Sequence, residues 1–331
     1  MHIANITPPQ WAGTFPQGPY RMALAHWVLD NPLYVKKIRL DDPYILMDNG
    51  AFEDSQVDVA LINEAAFRIA ASEVVLPDTP GNARETLQKS WAALGRITSK
   101  RIMFVSQGNS IEEWSDCLTA WLIKWEESPW KETYVLSLGI TSLRIPGSTK
   151  PQIGSRYQLI GRAVKTGYPA HLLGVPNTEE FLTRELPEAL RLGVRGFDTS
   201  LAFALAAKGI LLTSKAEKVQ LGDPAQYEML PTNARRLVYL NQAILRARAD
   251  GICADEIPTR LIRDTAQRWL KYWAEGFEPL VGAMRACGMP IGRYALCKED
   301  GREKYVRLLE PHQQPGEEEE LYVLEPITTR R

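Results

Sequence analysis

Seven short apolar runs punctuate the first two hundred residues, at 22–27, 44–47, 73–76, 102–105, 134–138, 171–175 and 196–197. They recur at intervals of about 25 to 35 residues, the length of one strand plus one helix. The segments between them, 59–72, 83–94, 111–127, 155–166 and 178–192, carry apolar residues at helical spacing. Two of these open on Asn109-Ser110-Ile-Glu-Glu and Asn177-Thr178-Glu-Glu, where a small polar side chain can accept from free amides and the acids suit the positive end of a helix. So many β-then-α repeats exceed one half of an open sheet and fit a closed α/β (β/α)8 barrel, with a doubly wound sheet as the structural rival.

The pattern changes beyond residue 200. Residues 201–210 read as a small-residue helix, and 213–230 as a polar insertion turning at Gly222-Asp223-Pro224. Two longer helices are expected. The first, 233–249, carries Arg235, Arg236, Arg246 and Arg248; the second, 258–277, carries Arg260, Arg263, Arg268 and Lys271. Glu299-Asp300-Gly301 between runs at 293–297 and 304–309 signals a hairpin. An acidic loop at 311–320 and a strand at 321–324 complete the chain, so 1–285 reads as the barrel with its C-terminal helices and 286–331 as a small β appendage with the acidic loop.

Each of three apolar runs ends on an aspartate: Tyr44-Ile-Leu-Met-Asp48-Asn-Gly, Val74-Val-Leu-Pro-Asp78-Thr-Pro and Gly196-Phe-Asp198-Thr-Ser. An acid just past a buried strand is carried to the rim of the barrel, where loops open to ligand above a rigid scaffold. Each also has a bland reading, Asp48 as a turn residue and Asp78 and Asp198 as helix caps. Two further strand ends, at Gln107-Gly108 and Leu138-Gly139, supply groups that can hydrogen-bond a planar polar ligand. His26 and His171 lie in apolar runs and read as hydrogen-bonded structure, and Trp114, Trp121, Trp125 and Trp130 as helix packing.

In this order the motifs resemble the tRNA-guanine transglycosylase superfamily, (β/α)8 barrels that exchange guanine for a 7-deazaguanine. Met47-Asp48-Asn-Gly-Ala-Phe52-Glu is similar to the family's Asp-Ser-Gly-Gly-Phe-Gln, Val105-Ser-Gln107-Gly108 to its Val-Gln-Gly-Gly, and Ser137-Leu-Gly139-Ile to its Gly-Leu-Ala-Val-Gly. His171-Leu-Leu-Gly174-Val is similar to Tyr-Leu-Met-Gly-Val, and Gly196-Phe-Asp198 to the Met-Phe-Asp of the nucleophile. The resemblance implies that Asp198 is the nucleophile and Asp48 the acid/base. It makes Asp78 and Gln107, with Gly108, the base-recognition residues, and Gly139 a backbone contact to the heterocycle. Phe52, with Phe104 and Phe203, is a candidate stacking face.

That chemistry suits these groups. A carboxylate can trap the sugar as a covalent glycosyl intermediate that the entering base displaces, with configuration retained. A second acid must move protons to and from the bases. Guanine presents N1–H and 2-amino donors, which an ionised Asp78 accepts together, and an O6 acceptor for Gln107 or the Gly139 amide. No cofactor is expected.

The chain departs from the tRNA enzymes in lacking their closely spaced Cys3His zinc set: Cys117, Cys253, Cys287 and Cys297 are scattered without a CxxC pair, so no metal is expected and the thiols read as free. The closer resemblance is to zinc-free DNA 7-deazaguanine transglycosylases of the DpdA type, which phages and genomic modification islands carry. The substrate expected is therefore DNA, with tRNA as the alternative, and the entering base a 7-deazaguanine such as preQ0. A target guanine must be flipped from the stack before its C1′ is accessible. Net charge is only −1, so DNA binding falls to local cations: Arg235, Arg236, Arg246, Arg248, Arg260 and Arg263 are candidates, and their bland reading is solvated faces paired with Asp250, Asp255, Glu256 and Asp264. Partner modification proteins would fit such a system. No run is long enough to span a bilayer and no leader is apparent, so the expected setting is cytoplasmic, the host cytoplasm if the gene is viral. An inactive nucleic-acid-binding barrel and a two-acid sugar hydrolase are rivals from other classes.

Overall fold

In the computed structural model, eight parallel strands pair in chain order and close on themselves as a (β/α)8 barrel. The structure describes residues 1–9, 12, 18–51, 58–143, 152, 154–175, 178–207, 212, 232–251, 294–299 and 302–306. The strands are β1 (His2–Asn5), β2 (Tyr20–Leu24), β3 (Tyr44–Asp48), β4 (Glu73–Val75), β5 (Arg101–Val105), β6 (Val135–Ile140), β7 (Ala170–Leu172) and β8 (Gly196–Thr199). Closure is made by β1 against β8, in the register His2 to Gly196 through Asn5 to Thr199.

Both faces of these strands are buried, which is why they read as unbroken apolar runs rather than alternating ones. Alternate residues fill the interior, where Ala4, Tyr20, Met22, Leu46, Val75, Met103 and Val105 pack together with Ile6, Tyr44 and Leu173. The other residues meet the helix layer. Phe104 on β5 stacks on Trp121 at 4.1 Å, and Trp114 and Trp125 are buried on the same helix, α5 (Ile111–Glu126). Ser110 caps α5 by accepting from the Glu113 amide at 3.1 Å. The other helices of the layer are α1 (Ala25–Asp30), α2 (Pro32–Ile38), α3 (Val59–Ile69), α4 (Ala83–Ala93) and α6 (Ser155–Val164). The last βα unit runs through α7 (Thr178–Glu180), a π turn at Phe181–Glu185 and α8 (Leu186–Leu192).

The floor of the barrel, at the strands' N-terminal ends, is polar and buried. Glu73 accepts from the hydroxyls of Tyr44 (2.6 Å) and Ser137 and pairs with Arg195 at 2.8 Å. Burial pushes its carboxyl up, but the Arg195 charge and the two hydroxyls outweigh that and hold it below the usual range. Tyr20 lies stacked between His2 (5.2 Å) and Tyr44 (5.1 Å).

Two elements differ from the sequence reading. The run at 22–27 is a strand only through Leu24; Ala25 begins α1, whose Ala25 and Val28 are buried. An apolar run of that length satisfies a strand or a helix turn equally, and the packing decides. The eighth strand is β1, four residues with no apolar run to mark it.

The chain divides into two compact units, Met1–Leu201, which holds the barrel, and Ala202–Arg331. The sequence reading keeps 202–285 with the barrel; the first unit closes at Leu201. Helix α9 is Leu201–Ala207, and the second unit holds α10 (Thr232–Ala249) and an antiparallel hairpin of β9 (Tyr294–Glu299) and β10 (Arg302–Val306), paired from Glu299 to Arg302. Within it, buried Asn241 accepts from the Leu212 amide at 2.7 Å and donates to the Ala202 carbonyl at 3.3 Å. The expected helix at 258–277, the insertion at 213–230, the acidic loop and the final strand lie outside the described residues. Among the described residues no helix is long and apolar enough to cross a membrane.

Candidate active site at the barrel mouth

The C-terminal ends of β3, β4, β5 and β8 bring Asp48, Asp78, Gln107 and Asp198 to one rim. In the closed order β4 lies four strands from β8 in either direction, so Asp78 and Asp198 face each other across the mouth. Eight strands about 4.8 Å apart and tilted about 36° enclose a backbone ring about 15 Å across, which interior side chains fill.

On one side, Asp78 is 5% exposed and its carboxylate is a junction. Asn49 Nδ2 donates to Oδ1 at 2.8 Å and Gln107 Nε2 donates to Oδ2 at 2.6 Å. Both amides have their orientation fixed from behind: the Ala51 N–H donates to Asn49 Oδ1 (2.7 Å) and the Gly81 N–H to Gln107 Oε1 (3.1 Å). Burial pushes the Asp78 carboxyl above its usual range, opposed by the donors from Asn49 and Gln107. The loop that presents it is held by Ser90 Oγ on the Pro77 carbonyl (2.6 Å) and by Thr86 on both polar groups of Thr79 (2.9 and 3.1 Å). Asp78 is not a helix cap: Asn82 caps α4, accepting from Glu85 N at 3.0 Å.

Asp48 ends β3, half-buried, and its Oδ2 accepts from the Gly50 amide at 3.0 Å. This is the Asx turn that Asp-Asn-Gly encodes, with Gly50 at φ +78° closing it.

Across the mouth, Asp198 is 2% exposed. It does not cap the following helix, since Thr199 Oγ1 takes the Leu201 amide at 2.9 Å. Its carboxylate is instead gripped from β7: His171 Nε2 lies 3.1 Å from Oδ1 and the Gly174 N–H donates to Oδ2 at 2.9 Å. Gly174, at φ +68°, turns its amide back toward β8. Its carbonyl and that of Leu173 accept from Arg156, a fully buried guanidinium that also pairs with Glu185 in the π turn.

Two glycines of the set have packing reasons to be glycine. Gly139 lies inside β6, paired with Val105 on one side and His171 on the other, so its backbone groups belong to the sheet. A Cβ there would stand 2.7 Å from Leu173 Cδ1 and 2.9 Å from Val105 Cγ2. A Cβ on Gly108 would stand 2.6 Å from the Trp114 amide nitrogen. Phe104 is core, stacked on Trp121; Phe52, Arg260 and Arg263 lie outside the described residues. Arg235 and Arg236 lie on α10. On the same helix exposed Arg246 pairs with Asp250 at 2.9 Å, and Arg248 is half-buried with its pKa lowered by burial.

No family model matches the chain, and neither does any curated protein. The site is therefore argued from its own geometry. Among the described residues no cluster of three His, Cys, Asp or Glu side chains could hold a metal ion. Sequence reasoning missed two residues, Asn49 at the rim and His171 inside the barrel beneath Asp198. Asn49 read only as part of a turn, and His171 as structure; the one available signal for His171 was its place two residues into a strand that ends beside the strand of Asp198.

Proposed function

We propose that this chain is a DNA-guanine transglycosylase, exchanging guanine for a 7-deazaguanine such as preQ0. One observation carries the reading: a buried carboxylate held by two donors on β8, Asp198, and a buried acceptor junction just past β4, Asp78, stand on opposite sides of the barrel. In this reading the Asp78 carboxylate accepts the N1–H and 2-amino donors of guanine beside Asn49 and Gln107. Gln107 Nε2 has a second proton for O6. Gly139, with its backbone in the sheet, contributes by letting Leu173, Val105 and Met103 pack against it.

The reaction closes on these groups alone. An Asp198 oxygen bonds to C1′ as the C1′–N9 bond breaks, the electron pair leaving with guanine, which takes a proton from Asp48. The 7-deazaguanine then enters, its N9–H returns a proton to Asp48, N9 bonds to C1′, and the Asp198–C1′ bond breaks to restore the carboxylate. Two inversions give retention. DNA is favoured over tRNA because the four cysteines are too scattered for a Cys3His zinc set. The target guanine would be flipped into the mouth, with arginines of the second unit as phosphate contacts.

Incubating the protein with labelled preQ0 and either DNA or tRNA tests this. Label entering DNA is the expected result. Label entering only tRNA transfers the assignment to tRNA, base release without incorporation makes the chain a hydrolase, and binding without either makes it an inactive barrel.

A further inference from the structure

The group that grips Asp198 has no part in the reaction above. We infer that His171 is a positioning residue for Asp198, donating from Nε2 to its carboxylate while Tyr20 holds Nδ1. The kinetic consequence rests on the transglycosylase reading; the geometry does not.

His171 is 0% exposed, at the centre of β7 and inside the barrel. Its Nε2 meets Asp198 Oδ1 at 3.1 Å, and a carboxylate can only accept there, so Nε2 carries a proton. Its Nδ1 faces the hydroxyl of Tyr20 at 3.4 Å. Burial raises the Tyr20 phenol well above its ordinary pKa, so the hydroxyl keeps its proton and holds Nδ1 by a hydrogen bond. Tyr20 cannot swing away, because its ring is clamped between His2 and Tyr44. The result is a chain of contacts from Tyr20 through His171, with Nε2–H donating to Asp198, running up the barrel wall.

The Gly174 amide takes the second oxygen, and Arg156 fixes that amide through the carbonyls of Leu173 and Gly174. Two donors, one per oxygen, define the carboxylate's plane while leaving lone pairs on each oxygen for C1′. They stabilise the charge that returns to Asp198 when the glycosyl ester breaks. A histidine that merely filled the core would be replaceable by any side chain that keeps the fold. A positioning histidine is replaceable only by one that keeps the Nε2–H donor.

The test uses the full chain with His171→Phe, His171→Gln and Asp198→Ala, following formation of the covalent protein–DNA adduct in a single turnover. His171→Phe is expected to slow adduct formation about 100-fold, the cost of a nucleophile misplaced by about 1 Å, with KM for the 7-deazaguanine unchanged. His171→Gln, whose Nε2 reaches the same place, restores most of that rate. Nitrogen NMR of the wild-type imidazole is expected to show the proton on Nε2. A His171→Phe rate equal to wild type, a Gln variant as slow as Phe, or an Nε2 that carries no proton overturns the inference. Base exchange by Asp198→Ala, or no adduct from wild type, overturns the function instead, and the NMR result then decides the positioning by itself.

Discussion

Replacing Asp78 by asparagine changes a few atoms and breaks a hydrogen-bond pattern that cannot rearrange. Asn49 and Gln107 each donate to one Asp78 oxygen, and each is locked by a backbone N–H on its own carbonyl oxygen, from Ala51 and Gly81. An asparagine offers one oxygen and one amino group, so a donor must face a donor. Leaving one buried donor unsatisfied costs about 1–3 kcal/mol, offset in part by relief of the buried charge, so unfolding free energy should move by about 1 kcal/mol or less. The base suffers more. It loses one of two charge-assisted bonds, about 1.5–3 kcal/mol, and its second N–H meets an amino group, for a total of about 3–5 kcal/mol, or two to three and a half powers of ten in Kd. Calorimetric titration of free 7-deazaguanine, with thermal unfolding measured in parallel, reads both numbers. An Asp78→Asn variant that binds the base within about threefold of wild type refutes the recognition role.

Other perturbations have equally definite outcomes. Base binding draws on ionised Asp78, whose pKa burial holds above the ordinary value of about 3.9; affinity should fall as pH is lowered through that raised pKa and level off above it, while the unliganded protein loses stability as pH rises through it. A titration series across the acidic range checks this, and an affinity that strengthens toward low pH contradicts it. Gly139→Ala forces a methyl to within 2.7 Å of Leu173 Cδ1, an overpacking cost of about 1–3 kcal/mol and a Tm fall of about 3–10 °C; an unchanged Tm would mean the interior is looser than described. Arg156→Met leaves Glu185 buried without its partner, at about 3–5 kcal/mol in urea unfolding, and adding Glu185→Leu should recover much of the loss. A double variant no more stable than the single one would count against that accounting.

The barrel was legible because seven of its eight strands are buried on both faces and print themselves as apolar runs. β1 was not, because its four residues, His2–Asn5, owe their conformation to neighbours β2 and β8 rather than to their own side chains. Asp48, Asp78 and Asp198 stood out because each follows such a run. Which of them caps a helix and which turns inward was invisible, since Asn82 and Thr199 do the capping and sequence alone offers the aspartates for that work equally well. His171 shows the deeper limit. A lone histidine in an apolar run carries no local signal, and its meaning comes from pairing with Gly196 across the strand ladder, which sets it below Asp198.

The polar floor has a consequence for traffic. The interior is filled by Met22, Leu46, Val75, Met103 and Val105, and the far end holds Glu73 with Arg195, Tyr44 and Ser137. Among the described residues, that end offers a base no way through. In the proposed base exchange the outgoing purine and its replacement would use the mouth in turn, so a glycosyl ester on Asp198 would have to outlast an interval in which no base covers it. The same opening admits water, and the fidelity of the exchange is then a race between a purine and a water molecule for one carbon atom.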